Sequence, residues 1–121
     1  MANQTPTFRC IQADADYELM HAIIMETARA DQVLETATLD DIRGWCAPSE
    51  RFDPNQDILF ALDNHGTVIG FSRVSWYTGK DGIKLYTQAS FLLPEHRKSG
   101  IWAAMVKENQ HRLRAIAARN P

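Results

Sequence analysis

Long apolar runs are missing from this sequence; Ile58–Leu62 and Phe91-Leu92-Leu93 are typical of its apolar stretches. A membrane-crossing helix needs about 20 consecutive apolar residues, so no span and no membrane partner are expected. The start, Met1-Ala2-Asn3-Gln4-Thr5, lacks the basic and apolar regions of a secretory signal, which points to the cytoplasm. Cysteine is scarce. Cys10 and Cys46 stand far apart with no second Cys or His at ligand spacing, so reduced structural thiols are expected. His21, His65, His96 and His111 are scattered as well, and no metal site is expected. Neither charge dominates. A net charge of -2 beside 45% apolar residues excludes a disordered chain. A length of 121 residues excludes a two-domain enzyme and leaves one domain, 1–121, with one core of moderate size. Repeats, low-complexity stretches and internal linkers are absent too.

The charges that are present are unevenly placed. Residues 1–94 carry 7 basic and 13 acidic side chains, whereas residues 95–121 carry 6 and 2. A basic carboxy-terminal fifth on an acidic body suggests an anionic partner at one end, or else a solvated basic helix face.

Periodicity supplies the elements. Thr7–Gln12 alternates loosely and predicts a short strand. From Asp16 the period becomes helical: Tyr17, Met20, Ile23, Ile24, Thr27 and Ala28 share a face, with Asp14 or Asp16 as cap. A shorter helix follows Thr38, with Asp40 and Asp41 in its first turn, and ends near Gly44 to Pro48. Ile58–Leu62, the turn Asp63-Asn64-His65-Gly66 and Thr67–Tyr77 predict an antiparallel hairpin. After the turn at 78–82, Lys84–Leu93 predicts a third strand of that sheet. Leu85, Thr87, Ala89, Phe91 and Leu93 share one of its faces; Tyr86, Gln88, Ser90 and Leu92 share the other. Pro94 stops the ladder. Ile101–Ala118 predicts a final helix with Met105, Leu113, Ile116 and Ala117 toward the core. The order gives an α+β domain with a mixed, mostly antiparallel sheet and flanking helices. A last helix would normally return to another strand, yet only Asn120 and Pro121 follow it. The domain is therefore expected to be incomplete at its carboxy terminus.

The stretch from Leu92 to Val106 is the most informative. A strand ends at Pro94, a short loop carries the adjacent cations Arg97 and Lys98, and Gly100 opens a helix. Unsatisfied N–H groups and the positive dipole end at a helix start suit a diphosphate. Gly100 permits close approach of a ligand, and the two cations add charge. An ordinary strand-loop-helix junction uses the same residue types.

This stretch resembles the acyl-coenzyme A signature of the GNAT superfamily of N-acyltransferases. That signature is a strand ending in Val-x-Pro, then Arg or Gln, two residues, Gly, one residue, and Gly or Ala. Leu92-Leu93-Pro94 stands for the first part, and Arg97-x-x-Gly100-x-Trp102 follows at the family's spacing. The order of elements agrees as well, so the resemblance covers nearly the whole chain. It implies a GNAT-like fold and acetyl-CoA as co-substrate. It also implies acyl transfer to an amine of a small molecule or peptide. The main chain at Leu92 and Leu93 would bond the pantetheine arm as a pseudo-strand. The N–H groups of Arg97, Lys98, Ser99, Gly100, Ile101, Trp102 and Ala103 would wrap the pyrophosphate.

Three departures accompany the resemblance. Trp102 stands where the family has a small residue, and its indole either obstructs the phosphates or stacks on the cofactor. Lys98-Ser99 replaces a Gly-bearing or doubly basic pair. The chain also stops before the family's fifth strand and the helix that often supplies a Tyr as general acid. No catalytic base stands out: Tyr86, Gln88 and Ser90 are the strand positions to consider, and none is a carboxylate. Glu95 and His96 are expected to face solvent. Trp45, Trp76 and Tyr77 are candidates for a substrate pocket or for the core.

The alternative to an enzyme is a degenerate, non-catalytic GNAT-fold module that scaffolds or dimerises. Nucleic acid, which Lys107, Arg112, Arg114 and Arg119 could meet, is not expected as a partner. The total charge is negative and no recognition motif is present. A sheet that stops at its fourth strand leaves an open edge, so a homo-oligomer formed through that edge is expected.

Overall fold

Four strands form one sheet, and helices cover both of its faces. The computed structural model describes residues 5–33 and 37–120; Met1–Gln4, read above for a leader, and Pro121 lie outside them. Within it run β1 (Thr7–Arg9), α1 (Ala15–Ala30), α2 (Leu39–Trp45), α3 (Pro54–Asp57), β2 (Ile58–Leu62), β3 (Val68–Thr78), β4 (Lys84–Leu92) and α4 (Ile101–Arg119). A single 3-10 turn, Pro94–His96, joins β4 to α4. The four strands are antiparallel throughout and lie in the order β1-β2-β3-β4, so β4 is an edge strand. The α+β class and the flanking helices agree with the sequence reading.

Helices α1 and α2 cover one face. Met20, Ile23 and Ile24 of α1 and Ile42 of α2 pack with Ile58, Phe60 and Phe71 in one buried cluster. Phe91 of β4 stacks on Phe71 with ring centres 5.0 Å apart. Each fully buried Ile or Phe contributes about 2 kcal/mol of transfer free energy. Helix α4 covers the other face, where Ile101 and Met105 meet Ala61, Ile69 and Leu92. A bulge makes this second cluster possible. Pairing passes from Ala61 opposite Gly70 to Leu62 opposite Val68, which leaves Ile69 as the extra residue that joins the α4 side.

Local chemistry explains the element ends. Thr38 and Asp41 form a reciprocal capping box at α2, with bonds of 3.1 and 2.9 Å. The first strand stops at Arg9, short of the expected Gln12. The N–H groups of Gln12 and Ala13 turn instead to the Asp16 carboxylate, at 2.7 and 3.3 Å. That carboxylate therefore orders the loop before α1, and the Asp14 side chain makes no cap bond. Helix α3 is a single turn, too short to show a period in the sequence. Asp53 caps it through the Asn55 N–H at 3.0 Å, and Pro54 stands at its first position.

In α4 the buried residues are Ile101, Met105, Asn109 and Ile116, while Leu113 and Ala117 are half-buried. Asn109 was not legible as a core residue because it is polar. Its amide donates to Gln88 Oε1 and Ser90 Oγ, both at 3.0 Å, and Ser90 meets Ser72 at 2.9 Å. Buried polar groups are tolerable when paired in this way. Arg112 extends the seam by donating to Asp57 Oδ1 at 2.9 and 3.1 Å and to Gln56 at 2.8 Å.

Candidate functional site

Where β4 runs out, an apolar cavity of about 260 Å³ opens between the carboxy-terminal end of α1 and the start of α4. Ile24, Thr27 and Ala28 form its α1 wall, Ser90, Phe91 and Leu92 its β4 wall, and Trp102 its α4 wall. Val33 reaches it because the chain reverses after α1. Gln32 adopts a left-handed conformation (φ 57°), and Val33 N–H bonds back to Ala28 O at 2.9 Å. Asp31 and Arg97 complete the lining and are its two ionised side chains.

The free edge of β4 faces this space. Leu93 N–H bonds to Ile69 O at 2.9 Å, toward the sheet. Because antiparallel residues alternate, the main-chain groups of Leu92, Ser90, Gln88 and Tyr86 point the other way. Leu93 also accepts from His96 N–H at 3.0 Å, so both of its main-chain groups are engaged internally.

The loop beyond β4 turns back on itself. His96, Arg97 and Ser99 N–H groups bond to Leu93, Pro94 and His96 carbonyls, and Ser99 Oγ donates to His96 O at 2.6 Å. Gly100 sits at φ 85°, a left-handed conformation costly for other residues, and caps α4. The first bond of α4 runs from Ala104 N–H to Gly100 O. The N–H groups of Ile101, Trp102 and Ala103 therefore open from the helix end, with the positive end of the dipole behind them.

Arg97 is held rather than free. Its terminal nitrogens donate to the two Asp31 oxygens at 2.7 and 2.9 Å, and its Nε makes a longer contact of 3.4 Å to Leu92 O. The guanidinium holds the Asp31 carboxyl below the usual carboxylate range, chiefly through these hydrogen bonds. Asp31 in turn raises the Arg97 value.

Of the residues singled out from the sequence, Ser90, Leu92, Arg97 and Trp102 line the cavity together. Ile101 is buried in the α4 cluster, and the Lys98 and Ala103 side chains are exposed. Gln88 and Ser90 turn their side chains to Asn109, and Tyr86 stacks with Trp76 at 6.3 Å. Those three strand positions thus face α4. Glu95 is exposed and His96 half-buried in the 3-10 turn. Trp45 and Tyr77 are exposed. Trp76 borders a separate polar cavity of about 350 Å³ beside Arg51 and Arg112. Sequence reasoning missed the α1 wall as a site. The helical period marked Ile24, Thr27 and Ala28 as core, while Asp31 lies just past the periodic stretch and carried no signal.

Among the described residues, no helix is long and apolar enough to cross a membrane, and no cluster of His, Cys, Asp or Glu could hold a metal ion.

No family model and no curated protein matches the sequence. Solved structures do match its shape. A GCN5-related N-acetyltransferase from Sphaerobacter thermophilus superposes with a TM-score of 0.68 at 15% identity, over 95% of this chain and 34% of that one. A protein provisionally assigned as a phosphinothricin N-acetyltransferase superposes with a TM-score of 0.70 at 19% identity, over 93% of this chain and 68% of that one. The chain has the fold of the GCN5-related N-acetyltransferases. It spans about a third of the first neighbour's length and about two-thirds of the second's.

Proposed function

We propose that this chain binds acetyl-CoA in the cavity at the end of β4 and belongs to an N-acyltransferase that acylates an amine of a small molecule or peptide. One observation carries the reading. An apolar cavity, an open strand edge and an open helix start converge within one strand-loop-helix unit. The pantetheine arm would run along the outward main-chain groups of Ser90 and the Leu92 N–H, the Leu92 carbonyl being met by Arg97 Nε. The diphosphate would meet the first-turn N–H groups Ile101, Trp102 and Ala103, with Lys98 and Gly100 beside it. Leu93, its main chain already engaged, would serve by anchoring the loop.

In the reaction, the amine nitrogen attacks the thioester carbonyl. A C–N bond forms, the C–S bond breaks, and the proton lost from nitrogen ends on the departing thiolate. The protein's part is to align the two groups and to exclude water. A cytoplasmic setting belongs to the same proposal, in keeping with free thiols at Cys10 and Cys46.

A second reading, a module that binds the donor without transfer, is favoured by one feature. The two ionised groups lining the cavity, Asp31 and Arg97, are bound to each other. Titration calorimetry with acetyl-CoA, followed by thiol release with a panel of amines, separates the readings. Binding with amine-dependent thiol release supports the transferase, and binding without release supports the module. No heat at millimolar acetyl-CoA would remove the donor site.

A further inference from the structure

We propose that Asp31 is an internal competitor for Arg97, a carboxylate that occupies the anion-binding fork at the cavity until a ligand's phosphates displace it. This rests on the acetyl-CoA reading above and adds to it a residue that sets affinity and salt dependence.

The geometry has three parts. Both terminal nitrogens of Arg97 point at Asp31, at 2.7 and 2.9 Å, which is the paired geometry a phosphate would use. The Arg97 stem is steadied by its Nε contact to Leu92 O, so the fork stays beside the β4 edge where the ligand would run. Asp31 is fixed independently of Arg97, because its N–H bonds to Thr27 O at 2.9 Å and Gln32 reverses the chain directly after it. The two side chains are 44% and 36% exposed, so an entering anion meets the carboxylate charge itself. A diphosphate is therefore opposed twice, by the loss of the fork and by like-charge repulsion. A phosphate-free ligand in the same cavity is opposed by neither.

Asp31→Asn keeps the shape and one acceptor oxygen while removing the charge. Calorimetry on the full chain is done with coenzyme A and with pantetheine, at low salt and at high salt. Asp31→Asn should tighten coenzyme A binding roughly fivefold at low salt, with the gain shrinking as salt rises. Pantetheine affinity should not change. Equal or weaker coenzyme A binding would make Asp31 a support for Arg97 and overturn the competition, as would equal tightening of pantetheine. If neither protein binds coenzyme A, the acetyl-CoA reading itself falls and this inference with it.

Discussion

Arg9 and Asp16 meet through two hydrogen bonds, 2.8 and 3.0 Å long, that join β1 to the first turn of α1. The Asp16 side chain is almost wholly buried, and hydrogen bonds from Arg9, then from Gln12 and Ala13 N–H, hold its carboxyl down to about 2. Its ordinary value is 3.8, so the folded state binds this proton less readily than the unfolded state does. The stabilisation, about 2 kcal/mol, is complete at neutral pH and is lost as pH falls from about 4 toward 2. Asp16→Asn should lower unfolding free energy by that amount at pH 7, and the gap should close near pH 2. Urea titrations at pH 7, 4 and 2.5 measure it. A gap that does not change with pH would assign the cost to packing instead.

Gly70 of β3 pairs with Leu92 of β4. A Cβ there would lie 2.6 Å from the Phe91 carbonyl oxygen, which is main chain and cannot swing aside. Gly70→Ala should cost about 1–3 kcal/mol and weaken acetyl-CoA binding, because the β4 wall must shift. Gly44 in α2 is the contrast. A Cβ there meets nothing within 4 Å, so Gly44→Ala should raise stability by up to about 1 kcal/mol. Thermal melts of the two variants should move in opposite directions.

The division between what the sequence disclosed and what it hid follows physical range. Local signals were readable: the cap at Thr38, the face from Met20 to Ala28, the turn at Asp63 and the helix opened by Gly100 all act within a few residues. Arg97 and Gly100 placed the loop between β4 and α4 for the same reason. Pairings across long separations were not readable. Asp31 and Arg97 lie 66 residues apart, and Arg112 and Asp57 lie 55 apart. Each looks like an ordinary surface charge until the fold brings it to its partner. The two faces of β4 were readable, but not which element each would meet. Alternation separated Tyr86, Gln88 and Ser90 from Leu85 and Thr87 but could not say which set α4 would cover. Asn109, a polar residue in an apolar stripe, decided it.

Trp102 bounds the cavity rather than filling it, and remains 41% exposed. As a wall it gives a ligand flat apolar contact beside the open N–H groups of the helix start. Trp102→Ala should therefore weaken coenzyme A binding about tenfold, or about 1.4 kcal/mol. Pantetheine, which also runs along this wall, should weaken too. Tighter binding in the variant would show that the indole obstructs the phosphates.

The open edge of β4 predicts self-association. Among the described residues this strand pairs only with β3, and Lys84 at its start is its one charged side chain. Neither proline nor a central charge protects it, the devices that usually keep edges apart. Antiparallel pairing with a second copy centred on Gln88 would set Tyr86 against Ser90 and Leu85 against Phe91, with no like charges opposed. Gln88→Glu keeps the acceptor that Asn109 uses but places two carboxylates face to face, which disfavours the pair. Sedimentation across a concentration series should show dimer for the parent and monomer for Gln88→Glu at neutral pH. The same outward groups of Ser90 and the Leu92 N–H are those assigned to the pantetheine arm. Saturating coenzyme A should then dissociate the dimer, because a ligand that needs the free edge draws the equilibrium toward the monomer. A dimer unchanged by both the substitution and the ligand would place the contact elsewhere on the surface.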